Sequence, residues 1–207
     1  MIHLFHKKEQ LQYMPVKEPP ALKPFEQMTK EEAQTYFQWH TENLSARIHN
    51  MCEYLRFTPD YSERSLISLW DRVIRRYPRM KKEDMTVCVV NGCALYLGEV
   101  FIRNNAGLRW ECYADVPLQD AFRNRPVVAG FFGKESTPPV PLVFEPMYMI
   151  SGREGRILRG EASAADVYDL YRKWLQYTPD GEQTHPTARE AVAKAFRNAT
   201  GGKPEAE

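Results

Sequence analysis

The feature that most constrains the fold is a nearly unbroken apolar run over residues 87–107, VCVVNGCALYLGEVFIRNNAG. Its charged members are Glu99 and Arg103. An apolar segment this long, with no turn signal before Asn104, is carried more easily by a buried helix than by a strand, despite Val87, Val89 and Val90. Glycine inside a helix costs about 1 kcal/mol relative to alanine. Gly92, Ala94 and Gly98 therefore call for a compensation, and the natural one is a small-residue groove that lets a neighbouring element approach closely. Residues 104–107, Asn-Asn-Ala-Gly, supply the stop, with Gly107 free to take the left-handed conformation.

The segments on either side must cover that helix. Thr29 followed by Glu32 fits a capping box. Downstream, Ala33, Phe37, His40, Leu44, Ile48, Met51 and Leu55 recur at steps of three and four, which predicts one amphipathic helix over 30–56. His40 falls on that stripe and reads as a satisfied, partly buried histidine. Thr58-Pro59-Asp60 ends the helix. Ser62 caps a second one, with Leu66, Leu69, Trp70, Val73, Ile74 and Tyr77 along one face and Pro78 at its end. Arg72, Arg75, Arg76 and Arg79 lie off the stripe and read as a solvated face.

Beyond Gly107 the period changes to two. LRWECYADV alternates Leu108, Trp110, Cys112 and Ala114 against Arg109, Glu111 and Tyr113, and RPVVAGFFG is rich in β-branched and aromatic residues; both read as strands. LVFEPMYMISGREG reads as a third extended run that is interrupted at Pro146, where a helix is the other reading. A last amphipathic helix begins near Ser163 and carries Val167, Leu170, Tyr171, Trp174 and Leu175; a short helix follows Pro186. The expected organisation is a Pro-rich arm over 1–28, docked through Leu4, Phe5, Tyr13, Leu22 and Phe25, then a single domain over 29–177, then a C-terminal helix and disordered tail over 178–207. The fold class is α+β: N-terminal helices packed on a central small-residue helix, a small, mostly antiparallel sheet, and C-terminal helices.

Composition removes several function classes. Lys plus Arg is 28 and Asp plus Glu is 27; that balance gives no broad electrostatic footprint for nucleic acid. A weak basic patch, Arg72, Arg75, Arg76 and Arg79, is all that points there. No run of about 18 apolar residues marks a membrane span, and the first 20 residues carry charges where a signal peptide needs an apolar centre. The expected location is the cytoplasm. Cys52, Cys88, Cys93 and Cys112 form no CxxC pair, so they supply no zinc pattern. There is no phosphate loop, nucleophile elbow, HExxH or dinucleotide fingerprint. We expect no cofactor and no metal. Cys112, beside Glu111, is the least implausible thiol nucleophile. Among the histidines, His3, His6 and His185 fall in terminal or peripheral segments.

Four residues stand out as binding candidates. Glu99 and Arg103 are four apart, share a helix face and pair there; if buried they need hydrogen bonds. They read first as a structural tie. Trp110 and Trp70 read first as core and second as interface anchors.

The pattern YLGEVFIRNNAGLRW, then NRPVVAGF, then VFEP, resembles small bacterial proteins that carry a domain of unknown function. The preceding helix, with Tyr61, Ser62, Glu63, Ser65, Leu66, Leu69 and Trp70, resembles the one that often precedes such a domain. The resemblance spans about residues 29–174 and implies a cytoplasmic bacterial α+β protein without an established activity; some of similar layout are immunity proteins against secreted toxins. It favours a non-enzymatic protein-binding module of immunity or regulatory type, with another protein as partner. The alternative is a small-ligand protein or enzyme with a pocket between the central helix and the sheet, using Glu99, Arg103 and Trp110.

Overall fold

The computed structural model describes residues 12–20, 23–81, 85–133 and 139–179. Leu4, Phe5, Leu22 and the expected helix and tail beyond residue 179 lie outside them. Among the described residues are six α-helices and a three-stranded antiparallel sheet, an α+β arrangement.

The first helix, α1 (Lys30–Glu42), starts as its capping box dictates. Glu32 N–H donates to Thr29 Oγ1 at 3.2 Å and Thr29 N–H donates to Glu32 Oε2 at 2.9 Å. The single helix expected over 30–56 is in fact two. Asn43 leaves helical geometry (φ −102°, ψ 2°), and both its backbone N–H and its Nδ2 donate to the Trp39 carbonyl, at 3.1 and 2.8 Å. That local competition with the helical ladder breaks the rod. The second piece, α2 (Leu44–Leu55), resumes at once, so the apolar periodicity crosses the break unaltered. The next helix, α3 (Ser65–Arg76), begins three residues after Ser62, whose Oγ accepts from Ser65 N–H at 3.2 Å.

Arg72 and Arg76 are not merely solvated. Arg72 donates to the Arg56 carbonyl at 2.7 Å and Arg76 donates to the Tyr54 carbonyl. Two cations thus close the C-terminal end of α2, where orphan carbonyls and the helix dipole both favour positive charge. Arg75 pairs with Asp71 at 2.8 Å.

The long apolar run is helical throughout: a π-turn segment (Met85–Val90) leads into α4 (Asn91–Asn104), whose residues from Gly92 to Gly98 are all buried. The small residues have the use expected of them. A Cβ on Gly92 would stand 2.3 Å from Met51 Cβ of α2, and one on Gly98 would stand 2.3 Å from the Trp110 ring. Asn104 and Asn105 close the helix by donating to the carbonyls of Val100 and Phe101 at 2.7 and 2.9 Å, and Gly107 takes φ +84°.

The sheet is β1 (Arg109–Cys112), β2 (Pro126–Gly133) and β3 (Val140–Phe144), in that order, with Trp110 opposite Val128 and Val128 opposite Phe144. At Pro146 the chain does turn helical. Glu145 accepts the Tyr148 N–H, Pro146 occupies the first turn where it needs no donor, and α5 (Pro146–Leu158) follows. The last described helix is α6 (Asp166–Leu175), whose start is tied by Ser163 N–H to Asp166 Oδ2 at 3.0 Å. Phe101 of α4 lies at the centre of the core, its ring 5.4, 5.0 and 4.5 Å from those of Phe131, Phe144 and Tyr171. One side chain therefore joins the central helix, two strands and α6.

The described part of the arm, residues 12–20 and 23–28, is docked. Asn50 grips Met14 at both backbone polar groups (2.7 and 2.9 Å), Asn43 Oδ1 accepts Lys17 N–H at 2.9 Å, and Trp39 Nε1 donates to the Lys17 carbonyl at 2.9 Å.

Candidate functional site

The helical spacing of α1 and α2 sets up a second stripe beside the apolar one: Tyr36, Trp39, His40, Asn43, Arg47 and Asn50, at steps of three and four. Asn43, Asn50 and the Trp39 indole N–H hold the arm. Tyr36, Trp39, His40, Arg47 and Asn50 line a cavity of about 530 Å³ beneath it. The arm contributes Val16, Pro19 and Phe25 to the wall, α4 contributes Asn91, Ala94 and Leu95, and β1 contributes Trp110. Cys88 of the π-turn segment, Arg125 just before β2, Pro126 at its start, and Glu145, Pro146 and Met147 at the start of α5 complete it. That volume falls within the range of small-molecule pockets, about 300–1,000 Å³.

Four aromatic side chains and His40 share the wall with aliphatic and polar residues. Phe25 meets Tyr36 edge-on at 5.1 Å, Tyr36 meets Trp39 at 5.3 Å, and His40 meets Trp110 edge-on at 5.1 Å. Two of these rings already carry a cation from the protein. The Arg47 guanidinium stands 5.0 Å from the Trp39 centroid and that of Arg125 stands 4.9 Å from Phe25.

The polar groups are few. His40 is 6% exposed. Arg47 Nη1 stands 3.5 Å from His40 Nδ1. A guanidinium has only hydrogens to offer, so Nδ1 is the acceptor and the ring proton sits on Nε2. That Nε2–H is buried and has no partner among the described residues. The expectation of a satisfied histidine is corrected here: one nitrogen has Arg47 and the other has none. Burial, with the Arg47 charge second, lowers the His40 pKa to about 3, so the ring is neutral at physiological pH. Burial also draws the Arg47 guanidinium below its ordinary value. Glu145 is raised by burial, which its bond from Tyr148 N–H and the charge of Arg125 only partly offset.

Glu99, Arg103 and Trp110, singled out from sequence, do come together. Arg103 Nε donates to Glu99 Oε2 at 3.0 Å, and Trp110 Nε1 donates to Glu99 Oε1 at 3.0 Å. The Glu99 side chain is 14% exposed and that of Arg103 49%, and the Arg103 guanidinium covers the Tyr61 ring at 3.5 Å. Glu99 and Arg103 do not line the cavity; Glu99 holds the indole that does, and Arg103 pairs with Glu99. Trp70 is 2% exposed and belongs to the core. All four cysteines are free thiols. Cys112 is raised by burial and by Asp115 and Glu111, away from the reactive thiolate. Among the described residues no cluster of three or more His, Cys, Asp or Glu could hold a metal ion, and no helix is long and apolar enough to cross a membrane.

Sequence reasoning did not single out Tyr36, Trp39, Arg47, Arg125 or Glu145. The available signal was the second stripe itself: aromatic and polar residues repeating at helical spacing next to an apolar face, where solvated charges would be ordinary. Comparison with protein families, with curated proteins and with solved structures finds no match for this chain.

Proposed function

We propose that this protein binds a small molecule in the cavity between α1, α2, α4 and the sheet, under the docked arm. The observation that carries the reading is a cavity of about 530 Å³ with a largely apolar wall, along which the Arg47 and Arg125 guanidiniums lie over the Trp39 and Phe25 rings. Few, convergent polar groups in an apolar pocket are what orient a ligand. Glu99, itself paired with Arg103, serves the site by holding Trp110.

Ligand-detected NMR of the full chain with a library of small aromatic compounds tests the reading. Binders are expected to compete for one site, to quench tryptophan fluorescence less in the Trp110→Phe variant, and to shift backbone resonances of α1, α2 and residues 91–95. Binders that shift only other regions, or a library without binders, would count against it.

A further inference from the structure

Resting on that pocket, we infer that its ligand has a flat apolar body and one anionic group, a carboxylate being the simplest, which pairs with Arg47. The charges of the wall point to this choice. Two guanidiniums, Arg47 and Arg125, and one carboxylate, Glu145, line the cavity. The Arg125 charge acts on Glu145. Arg47 has no carboxylate partner among the described residues, although it is half-buried against Trp39 and His40. A guanidinium in that position presents a planar fork of donors matched to two carboxylate oxygens.

A cationic ligand is disfavoured by the same wall. Aromatic cages bind ammonium groups through bare ring faces, whereas here Trp39 and Phe25 already lie beneath Arg47 and Arg125. The remaining aromatic surface of Tyr36 and Trp110 suits a planar body.

Three probes with one body separate the possibilities: 2-naphthoate, 2-naphthalenemethanol and 2-naphthylmethylamine, each titrated into the full chain by calorimetry. The expected result is that the carboxylate binds at least about tenfold tighter than the alcohol, as a charge-assisted hydrogen bond warrants, and tighter still than the amine. Arg47→Gln is expected to bring carboxylate and alcohol to within about threefold of each other. A readout on the unaltered protein guards against a variant that fails to fold: the Arg47 guanidinium resonances are expected to shift more with naphthoate than with the alcohol. Equal binding of all three probes, or tightest binding of the amine, overturns the anionic group and leaves the pocket standing. Absence of binding by every probe at millimolar concentration removes both.

Discussion

His40 shows how one residue's surroundings set its chemistry. Tyr36 from its own helix, Arg47 from α2 and Trp110 from β1 surround the ring, and the one charge among them, Arg47, is positive. Both burial and that charge oppose protonation, and the pKa falls to about 3 from an ordinary 6.5. Between those values the unfolded chain takes up a proton that the folded protein refuses. Stability from this group is therefore whole above pH 6.5 and is lost as pH falls toward 3, by up to about 1.4 kcal/mol per pH unit. Carboxylates are shifted too, Glu32 and Glu42 lowered and Glu145 raised, so the difference between two proteins is the clean quantity. Urea unfolding from pH 7 to pH 4 is expected to show a steeper loss in the natural protein than in His40→Phe, which keeps a ring but cannot titrate. Parallel curves would show that His40 is solvated enough to charge. Long-range proton–nitrogen spectra should also find the Nε2–H tautomer unchanged from pH 8 to pH 5.

At the scale of the element, two glycine-containing helices have opposite reasons for their glycines. Gly98 of α4 lies against Trp110, where an added methyl would come 2.3 Å from the indole. Trp110 is held by Glu99 at 3.0 Å, so it cannot yield freely. Gly98→Ala is expected to cost about 1–3 kcal/mol by overpacking, more than helix propensity returns, and to disturb the cavity wall, which far-ultraviolet melting and tryptophan fluorescence will register together. Gly152 of α5 has nothing within 4 Å of an added Cβ. Gly152→Ala is expected to stabilise by about 0.5–1 kcal/mol, the propensity gain alone; a loss would mean that this face of α5 is covered in solution. The contrast also shows what was legible. An apolar run studded with small residues announced a buried helix and its close neighbours, and the alternation around Trp110 announced β1. The break at Asn43 was not legible, because a side chain that competes for one carbonyl leaves the apolar periodicity intact. Nor was the duty of Arg72 and Arg76, since the carbonyls that they close belong to another helix and only the tertiary fold brings them near. The site was half legible for the same reason. Glu99, Arg103 and Trp110 are near in sequence, whereas Arg47, Arg125 and Glu145 converge from three separate elements.

The whole molecule is held by two kinds of contact, and they divide its stability unevenly. The body is joined by apolar burial around Phe101, Tyr96 and Leu97, all fully enclosed. The arm over 12–20 is held chiefly by polar bonds at the surface, from Asn43, Asn50, Trp39 and the Lys17–Glu42 pair at 2.8 Å. Hydrogen bonds of that kind contribute about 0.5–1.5 kcal/mol each, and the exposed ion pair adds little. Prolines at 15, 19 and 20 limit the freedom that the arm regains on release, so opening is favoured less than its few contacts suggest, yet far more than global unfolding. Because Val16 and Pro19 line the cavity, opening of the arm is expected to ease entry to the site. Asn50 is the place to test this, since it bonds both the N–H and the carbonyl of Met14, although it also lines the cavity. Asn50→Ala is expected to speed hydrogen exchange at the Met14 and Lys17 amides by about tenfold, with the amides of α4 unchanged and the melting temperature nearly constant. In the same variant a bound naphthalene probe should be released faster. If α4 loses protection in step with the arm, the arm is part of the core's cooperative unit and the division drawn here is wrong.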